Sequence, residues 1–554
     1  MKPSRSAGPD GLNMKIIKDY LPTLEPAIHN IVNQSILQNT FPSNLKISKV
    51  LPQLKSGESP TSPNSFRPIN IQSPLAKIIE KVVFHQIAQH LDRQKLIPHN
   101  VHGSRPHHSP VTALISLYDN VIEKYEAGEV TAVIGLDPST AFYVVDHQLL
   151  VSRLELIGFD NNSLKWMKSY LSDRHQLVEI QGFQSDIIPH PPTSIIQGSV
   201  GSCILFNIFV MDIPQVLHPH DPHTPKEEAR CPNGTTIGFV DDQSLRISGS
   251  NRQMVQNQAQ ISVDRLESHL TSNKLKFNKD KSNIILVAKP SIQKEGIQIQ
   301  AAGKIIQSKQ SLKLLGIVLS DDMKFNKQVN IMIGQLTNRL ISIRQISKYA
   351  SSKTIKTICQ SILLGKIYYA IQLYGSLPDF LARKIQTIIL QAARLVLGPK
   401  SARLSTSKIL CQVGWMSYRQ YEQYFTLRLA HQVLTVEQPE SLVSMIGDIG
   451  PRMTRSQASG ARILPPWNKS VSRDSFRYRA IKYYNDLPSD VKETKQKISR
   501  NKRIKQHVMS TVSPYIGGRN RAKPPIRPDA QAPAPPDNPP PLIGRHNVTG
   551  HRAS

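Results

Sequence analysis

The segment of residues 236–245, TIGFVDDQSL, constrains the fold more than any other, because it places two adjacent aspartates between apolar residues. Neighbouring side chains of a strand point to opposite faces, so a sheet core cannot enclose both Asp241 and Asp242 without a large desolvation cost. The pattern therefore predicts a β-hairpin with the two carboxylates at its bend. A lone pair of aspartates is more often an ordinary solvated turn, and this alternative stays open at this point.

A third carboxylate follows a second apolar run. The segment VTAVIGLD reads as a buried strand, and it ends on Asp137. Mg²⁺ takes oxygen ligands in octahedral geometry, often a few carboxylates together with substrate phosphates, and Mn²⁺ is an alternative occupant of such sites. Three carboxylates brought together from two strands therefore suit two metal ions. Two ions ~3.5–4 Å apart can stabilise both the attacking and the leaving oxygen of an in-line phosphoryl displacement.

The chain is strongly basic, with 69 Lys and Arg against 40 Asp and Glu in 554 residues, a net charge of +29. Residues 451–554 alone carry 21 basic and 6 acidic residues. This balance favours a polyanionic partner, nucleic acid first and an acidic membrane surface second. The four cysteines are scattered without a CxxC pair, which argues against a zinc site or a disulfide framework. No apolar run reaches ~18 residues, so the sequence predicts no transmembrane helix.

Helical and strand patterns alternate along the chain without a repeat, which predicts an α+β fold. Helices are predicted at residues 24–39, 73–93, 109–128 and 252–272, and mostly helical stretches at 323–397 and 405–445. The segments GSVGSCILFNIFVMDIP and ILLGKIYYAIQLYG each read as a buried core helix, because apolar residues dominate them. Beyond about residue 511 the chain is Pro-rich, which predicts a disordered tail.

The order of these segments resembles that of the reverse transcriptases of non-LTR (LINE-type) retrotransposons, closest to the jockey-like branch. The similarity runs in the family's order from residue 6 to about 320 and continues into the C-terminal region. The segments that carry it are SAGPDGL, KVLPQLKSGESPTSPNSFRPINIQSPLAKIIEKVV, VHGSRPHHSPVTAL, VIGLDPSTAFYVVDHQLLVSRLELIGF, IIQGSVGSCILFNIFVMDIP, GFVDD, LTSNKLKFNKDKSNIILV and LKLLGIVLSDDMKF. Each segment alone is a weak signal, whereas eight in order are a strong one.

The resemblance implies a role for each matching residue. The aspartates Asp137, Asp241 and Asp242 match the catalytic residues that bind the two metal ions. Seven residues match positions that contact the incoming nucleotide, namely Lys55, Arg67, Pro138, Phe142, Gln197, Gly198 and Lys281. The pair Leu315 and Gly316 matches the primer grip.

The chemistry of these residue types fits the implied roles. Arg67 suits bidentate contact with a triphosphate, and Lys55 acts as a point charge. Pro138 keeps the backbone carbonyl that the position requires and loses only an N–H. A bulky ring such as Phe142 against the sugar C2′ excludes a 2′-hydroxyl and favours dNTPs over rNTPs. Taken singly, Phe142 also fits a core aromatic, and Lys281 also fits a surface lysine.

The family's fold is a right-hand polymerase, which implies fingers at 1–125, a palm with a small antiparallel sheet at 126–318 and a helical thumb at 319–400. The reverse transcriptase domain as a whole would cover about 30–318, followed by a basic, mostly helical C-terminal region at 401–510 and the tail at 511–554. The implied partners are an RNA template, a DNA primer or target and dNTPs, with no membrane and no identified protein partner. The implied location is a nuclear or cytoplasmic ribonucleoprotein.

Several positions depart from the family pattern. Tyr143 replaces the Asp of AFD, Ile196 the Pro of PQG, and Ser104 the Phe of GFRP. Such changes leave a catalytically inactive nucleic-acid-binding relic as an alternative. An RNA-dependent RNA polymerase and a group II intron maturase are further alternatives, disfavoured by Phe142 and by the C-terminal similarity respectively. The sequence shows neither the family's upstream endonuclease domain nor a Cys-His knuckle, so we expect a 5′-truncated copy or a partial gene product.

Overall fold

The computed structural model describes residues 1–514, with gaps at 2–3, 5, 56, 137–140, 218–233, 279–280, 291, 293–295, 448–461, 463, 466–469 and 495. Asp137, Pro138 and the Pro-rich segment beyond residue 514 thus lie outside the described residues. All described residues belong to one compact unit, Met1–Ile516. Within this part of the chain, no helix combines the length and the apolar character that crossing a bilayer requires.

The central sheet has four antiparallel strands in the order β7-β8-β3-β9. Its strands are β3 (Val130–Leu136), β7 (Gly234–Phe239), β8 (Asp242–Gly249) and β9 (Asn283–Val287). Alternate side chains of β3 enter two different cores: Ala132 and Ile134 pack into one, and Val133 into the other. Because both faces are covered, these strands read as continuous apolar runs rather than as alternating patterns.

A second sheet contains β1 (Ile47–Leu54), β2 (Phe66–Gln72), β4 (His175–Ile180), β5 (Phe183–Gln184) and β6 (Ile188–Pro189). Strands β1 and β2 form an antiparallel hairpin, whereas β1 and β4 run parallel. Two small hairpins complete the β-structure, formed by β10 (Gln298–Ala301) with β11 (Lys304–Gln307) and by β12 (Ser311–Leu314) with β13 (Ile317–Ser320).

The first nine helices surround these sheets. Their bounds are α1 Met14–Asp19, α2 Leu21–Leu37, α3 Pro74–Arg93, α4 Pro110–Ala127, α5 His147–Leu156, α6 Asn161–Leu171, α7 Ser202–Phe209, α8 Ile213–Val216 and α9 Arg252–Ser272. Helices α4 and α9 contact β3 and contribute to different cores, so the central sheet is enclosed between helical layers. The predicted mixture of helices and small antiparallel sheets is therefore confirmed.

The remaining described helices follow the sheets. Their bounds are α10 Asn326–Ile346, α11 Ser352–Ile358, α12 Gly365–Tyr368, α13 Ile371–Tyr374, α14 Asp379–Leu397, α15 Thr406–Val413, α16 Tyr418–Val436, α17 Glu440–Ile446, α18 Ser470–Arg473, α19 Phe476–Asn485, α20 Ser489–Lys492 and α21 Lys497–Thr511. The C-terminal helices pack against α4: the Arg477 backbone N–H donates to Asp119 Oδ2 at 2.6 Å. One hydrophobic core joins residues from α4 to α19, so these helices are integral to the fold.

Two segments predicted as single helices are divided in the structure. In GSVGSCILFNIFVMDIP, α7 ends at Phe209 and α8 begins at Ile213, because in a continuous helix the Pro214 ring would clash with the Val210 carbonyl four residues earlier. In ILLGKIYYAIQLYG, a π-helical turn at Cys359–Leu364 precedes α12, and Ala370 then takes a left-handed conformation with φ of +57°. This second break turns the Tyr369 side chain out of the helical path.

Candidate active site

The aspartate pair lies at the bend of the β7–β8 hairpin, as predicted. Phe239 pairs with Asp242, so Val240 and Asp241 form a two-residue turn. Asp242 is exposed and Asp241 is half-buried. Val240 has φ of +58°, a region that a β-branched residue rarely enters. Gln243 Nε2 donates to the Val240 carbonyl at 3.1 Å and helps to hold this conformation.

The segment of residues 100–103 supports the hairpin from beside β7. The His102 N–H donates to the Gly238 carbonyl at 2.8 Å, and the Gly238 N–H donates to the Asn100 carbonyl at 3.0 Å. Gly103 is packed so tightly against the turn that a Cβ there would lie 2.6 Å from both the backbone N and Cγ2 of Val240. Only glycine fits this contact, which fixes the position of the aspartate turn.

Two further strand ends lie at the edge of the sheet that carries this turn. Strand β3 ends at Leu136, which pairs with Gln243, and β9 begins at Asn283, which pairs with Gly135. Lys281 is exposed and precedes β9 by two residues, so it belongs to the same edge. Asp137 and Pro138 follow β3 directly in sequence but lie outside the described residues.

Phe142 contacts both α7 and the loop that precedes it. Its ring is half-buried, with its centroid 5.3 Å from that of Phe206 in α7. Its carbonyl accepts a hydrogen bond from the Ile195 N–H at 2.9 Å. This bond ties Phe142 to the loop that contains Gln197 and Gly198.

The Gln197–Gly198 loop is also joined to the β1–β2 hairpin. The Asn70 N–H donates to the Gln197 carbonyl at 3.3 Å, and a Cβ on Gly198 would lie 3.2 Å from the Asn70 carbonyl oxygen. Gly198 has φ of +104°, which L side chains rarely adopt. Asn70 belongs to the same strand as Arg67, and the structure thus brings the loop to the strand that carries this arginine.

Arg67 and Lys55 occupy the outer part of the same hairpin. Arg67 is exposed on β2, where it pairs with Gln53. Lys55 follows β1 directly, and its ammonium donates to the Asn64 carbonyl at 2.5 Å. Both cations are thus on one β-hairpin.

Glu80 is a functional candidate that sequence reasoning missed. This carboxylate of α3 is fully buried and accepts from the Val200 N–H at 2.9 Å, from Gln72 Nε2 at 2.8 Å and from the Tyr170 hydroxyl at 3.0 Å. It therefore fixes the segment that follows Gly198. A signal was present, since Glu80 is a charged residue within the apolar stripe of an otherwise regular amphipathic helix.

The Leu315–Gly316 pair forms the two-residue turn between β12 and β13, with φ of +44° and +80°. The Tyr369 hydroxyl donates to the Leu315 carbonyl and holds this turn. Burial raises the pKa of Tyr369, and the charge of Asp242 raises it further. Tyr369 is therefore close to both the turn and the aspartate hairpin, a link that nothing in the local sequence indicated.

The donor set at the sheet edge fits a divalent metal ion. The carboxylates of Asp241 and Asp242 offer the oxygen ligands that Mg²⁺ and Mn²⁺ take, at an accessible turn. Over the residues that the structure describes, no three His, Cys, Asp or Glu side chains form a metal-binding group. The third predicted ligand, Asp137, is outside that range.

Comparison with known proteins identifies the domain. Residues 54–319 match the family model described as reverse transcriptase (RNA-dependent DNA polymerase). Over 395 residues, covering 71% of this chain, the sequence is 24% identical to the RNA-directed DNA polymerase from mobile element jockey of Drosophila melanogaster. Over 372 residues, covering 66% of this chain, it is 24% identical to the probable RNA-directed DNA polymerase from transposon BS of the same species.

A third relative, the probable RNA-directed DNA polymerase from transposon X-element of Drosophila melanogaster, is 23% identical over 66% of this chain. The chain spans only about two fifths of the length of these relatives: 42%, 40% and 39%. The matched segment includes the aspartate hairpin, the Gln197–Gly198 loop and the Leu315–Gly316 turn. Residues 54–319 are therefore a reverse transcriptase domain, and the chain is homologous to the RNA-directed DNA polymerases of non-LTR retrotransposons.

Proposed function

We propose that this chain is an RNA-directed DNA polymerase of a non-LTR retrotransposon. It adds dNTPs to a primer 3′-hydroxyl on an RNA template and releases pyrophosphate at each addition. The observation that carries the proposal is the Asp241–Asp242 turn at the edge of the central sheet, within the segment that matches the reverse transcriptase family. The partners are accordingly an RNA template, a DNA primer or target and dNTPs, in a nuclear or cytoplasmic ribonucleoprotein.

The proposal divides the chain as a right-hand polymerase. Fingers comprise residues 1–125, the palm 126–318 and the thumb 319–400, followed by the C-terminal region 401–510 and the tail 511–554. The mixed β1–β2–β4 sheet supports the assignment of fingers, and the antiparallel β7–β8–β3–β9 sheet supports the assignment of the palm. Helices α10–α14 supply the helical thumb.

Asp241 and Asp242 are the proposed metal ligands, together with Asp137. Leu136, the residue before Asp137 in sequence, pairs with Gln243, which follows Asp242 in β8, and this pairing supports the proposal. When bound, two Mg²⁺ ions, or Mn²⁺ in their place, would supply positive charge to the attacking and leaving oxygens. Negative charge at the turn is therefore a requirement of the chemistry, which explains why the turn is not neutral.

The incoming nucleotide would be held from several sides. Lys55 and Arg67 on the β1–β2 hairpin would bind the triphosphate, and Lys281 would neutralise or protonate the pyrophosphate. The Gln197–Gly198 loop would contact the base pair being formed, held in place by Asn70 and Glu80. The backbone carbonyl of Pro138 completes this proposed set.

Phe142 is the proposed determinant of sugar selectivity. Phe142→Val removes ring volume beside the nucleotide, so it should let rNTPs enter and raise rNTP use relative to dNTP use by about 10- to 200-fold. The test is primer extension on an RNA template with dNTPs or rNTPs, by the wild-type chain and the variant. Wild-type extension with rNTPs as efficient as with dNTPs would argue for an RNA polymerase instead.

Leu315 and Gly316 are the proposed primer grip, and Tyr369 positions their turn. Tyr369→Phe deletes only the hydroxyl that donates to the Leu315 carbonyl, a loss of about 1 kcal/mol. We expect the KM for template-primer to rise by about fivefold, with little change in the KM for dNTP.

Tyr374→Phe is the matched control for this change. The Tyr374 hydroxyl also donates to a backbone carbonyl, that of Ile367, but it lies within the helical core. Tyr374→Phe should lower the melting temperature about as much as Tyr369→Phe does. It should leave the KM for template-primer and the KM for dNTP unchanged. If the two variants have the same KM for template-primer, Tyr369 has no positioning role.

A further inference from the structure

Helices α16 and α21 form a packed pair in the C-terminal part of the described chain. The buried face of α21 consists of Arg500, Ile504 and Val508, which are four residues apart. Ile504 and Val508 contribute to a small apolar core that also contains Leu427 of α16. Arg500 is thus an arginine at a core position, and only 3% of its surface is exposed.

Within the described part of the chain, no carboxylate neutralises the Arg500 guanidinium. Its Nε is buried and makes no hydrogen bond. Burial lowers the pKa of Arg500, and the positive charge of Arg428 on α16 lowers it further, although Tyr424 opposes these effects. Among the residues that the structure describes, no carboxylate forms an ion pair with Arg428 or Arg500.

The same helix α16 shows how the fold neutralises a buried arginine elsewhere. Glu422 forms a buried ion pair with Arg479 of α19, with side-chain exposures of 3% and 5%. Although burial lowers the pKa of Arg479, Glu422 raises it, and the net shift is upward. An unpaired buried charge is costly in the folded state. Unlike Arg479, Arg500 therefore has no carboxylate partner among the described residues.

Arg428 is arranged to receive an anion at the surface. It is half-buried, and its guanidinium carbon lies 5.1 Å from the ring centroid of Phe425 and 5.9 Å from that of Tyr424. Stacking on two aromatic faces restrains the guanidinium plane, which lowers the entropy lost when it binds. Arg500 lies on α21, which packs against α16, and its positive charge acts on Arg428.

The exposed surface beside this pair favours an extended polyanion over a single anion. Helix α21 carries five basic residues and no acidic one. Lys497 and Lys502 are exposed on its outer face. The positive charge of α21, next to the two arginines, matches the negative charge of a nucleic acid backbone.

We propose that Arg428, supported by the charge of Arg500, binds the phosphodiester backbone of a nucleic acid strand. The site lies on α16 and α21, outside the reverse transcriptase domain at residues 54–319. It goes beyond the proposed polymerase activity, because binding here requires neither a metal ion, a nucleotide nor a primer end. RNA and DNA share this backbone chemistry, so the experiment includes both.

The test measures binding of the full chain, without nucleotides, to labelled single-stranded RNA and to duplex DNA over a series of salt concentrations. Arg428→Gln should weaken binding about tenfold and reduce the slope of log K against log salt by ~0.7 on RNA or ~0.9 on duplex DNA. Arg500→Gln should weaken binding by a smaller factor. An effect confined to RNA would assign the site to RNA, and one confined to duplex DNA would assign it to DNA.

Arg503→Gln is the matched control, because Arg503 lies on the same helix but is paired with Asp490 at 3.1 Å. It removes one positive charge and should leave the affinity and the salt slope nearly unchanged. In the absence of nucleic acid, Arg500→Gln should keep or raise the melting temperature, since it removes an unneutralised buried charge. Affinities and salt slopes of Arg428→Gln and Arg500→Gln that equal those of Arg503→Gln would overturn the proposal. Arg428→Gln keeps the test decisive if Arg500→Gln does not fold.

Discussion

Asp242→Asn is expected to reduce primer extension by about 10²- to 10³-fold while leaving the fold and template-primer binding intact. The substitution keeps the size of the side chain but removes the negative charge that the proposed metal site requires. Loss of one preorganised charge partner at a reacting centre has costs of this order. Because Asp242 is exposed, the neutral amide should lower the melting temperature little. The measurement is single-turnover extension of a labelled primer, with affinity measured on the same preparation.

The chain offers an internal control for this prediction. Asp321 and Asp322 are a second adjacent aspartate pair, located after β13, and Asp322 Oδ1 accepts a hydrogen bond from the Lys324 N–H at 2.9 Å. Asp322→Asn preserves an acceptor at this position and should leave extension unchanged. Substantial extension by Asp242→Asn, or an equal loss in Asp322→Asn, would contradict the assignment of the β7–β8 turn as the catalytic centre.

Gly103→Ala is expected to impair catalysis through the backbone, without changing any residue that contacts substrate. The added methyl group would lie 2.6 Å from the Val240 backbone N, so the turn that carries Asp241 must shift. Overpacking of this kind costs about 1–3 kcal/mol of stability. A displacement of about 1 Å at a reacting centre costs about 10²-fold in rate, and we expect a loss of that size in extension.

Gly334→Ala provides the comparison for the same chemical change. Gly334 is in α10, and a Cβ there would meet no atom within 4 Å. Alanine should stabilise the helix by about 0.5–1 kcal/mol and leave extension unaffected. If Gly103→Ala extends primers at the wild-type rate, the packing of residues 100–103 does not determine the position of the aspartates.

The features that could be predicted from the sequence are those set by local patterns. Helix α9 spans Arg252–Ser272, the range that its periodicity predicts, because the Asn251 side chain caps its first turn and a regular apolar stripe continues to its end. The β7–β8 hairpin was predicted for the same kind of reason, since two adjacent carboxylates exclude a continuous buried strand. In both cases the interactions that determine the structure join residues close together in sequence.

The features that could not be predicted depend on contacts between distant segments. The tight contact of Gly103 with Val240 joins two parts of the chain that no local pattern relates. No proline or glycine lies next to Ala370, so the local sequence does not predict the helix break there. The hydrogen bond from the Tyr369 hydroxyl to the Leu315 carbonyl joins residues far apart in sequence, so local patterns do not predict it either. The roles of Asp137 and Pro138 remain predictions from the family resemblance.

The most direct test of the central claim is primer extension by the purified chain, with an RNA template, a DNA primer, Mg²⁺ and dNTPs. The double variant Asp241→Ala/Asp242→Ala is assayed alongside, with template-primer binding measured for both proteins. Our account predicts that the wild-type chain extends the primer with dNTPs and that the double variant binds template-primer but adds no nucleotide. A wild-type chain that binds template-primer with salt-dependent affinity yet adds no nucleotide would contradict it and identify an inactive nucleic-acid-binding relic.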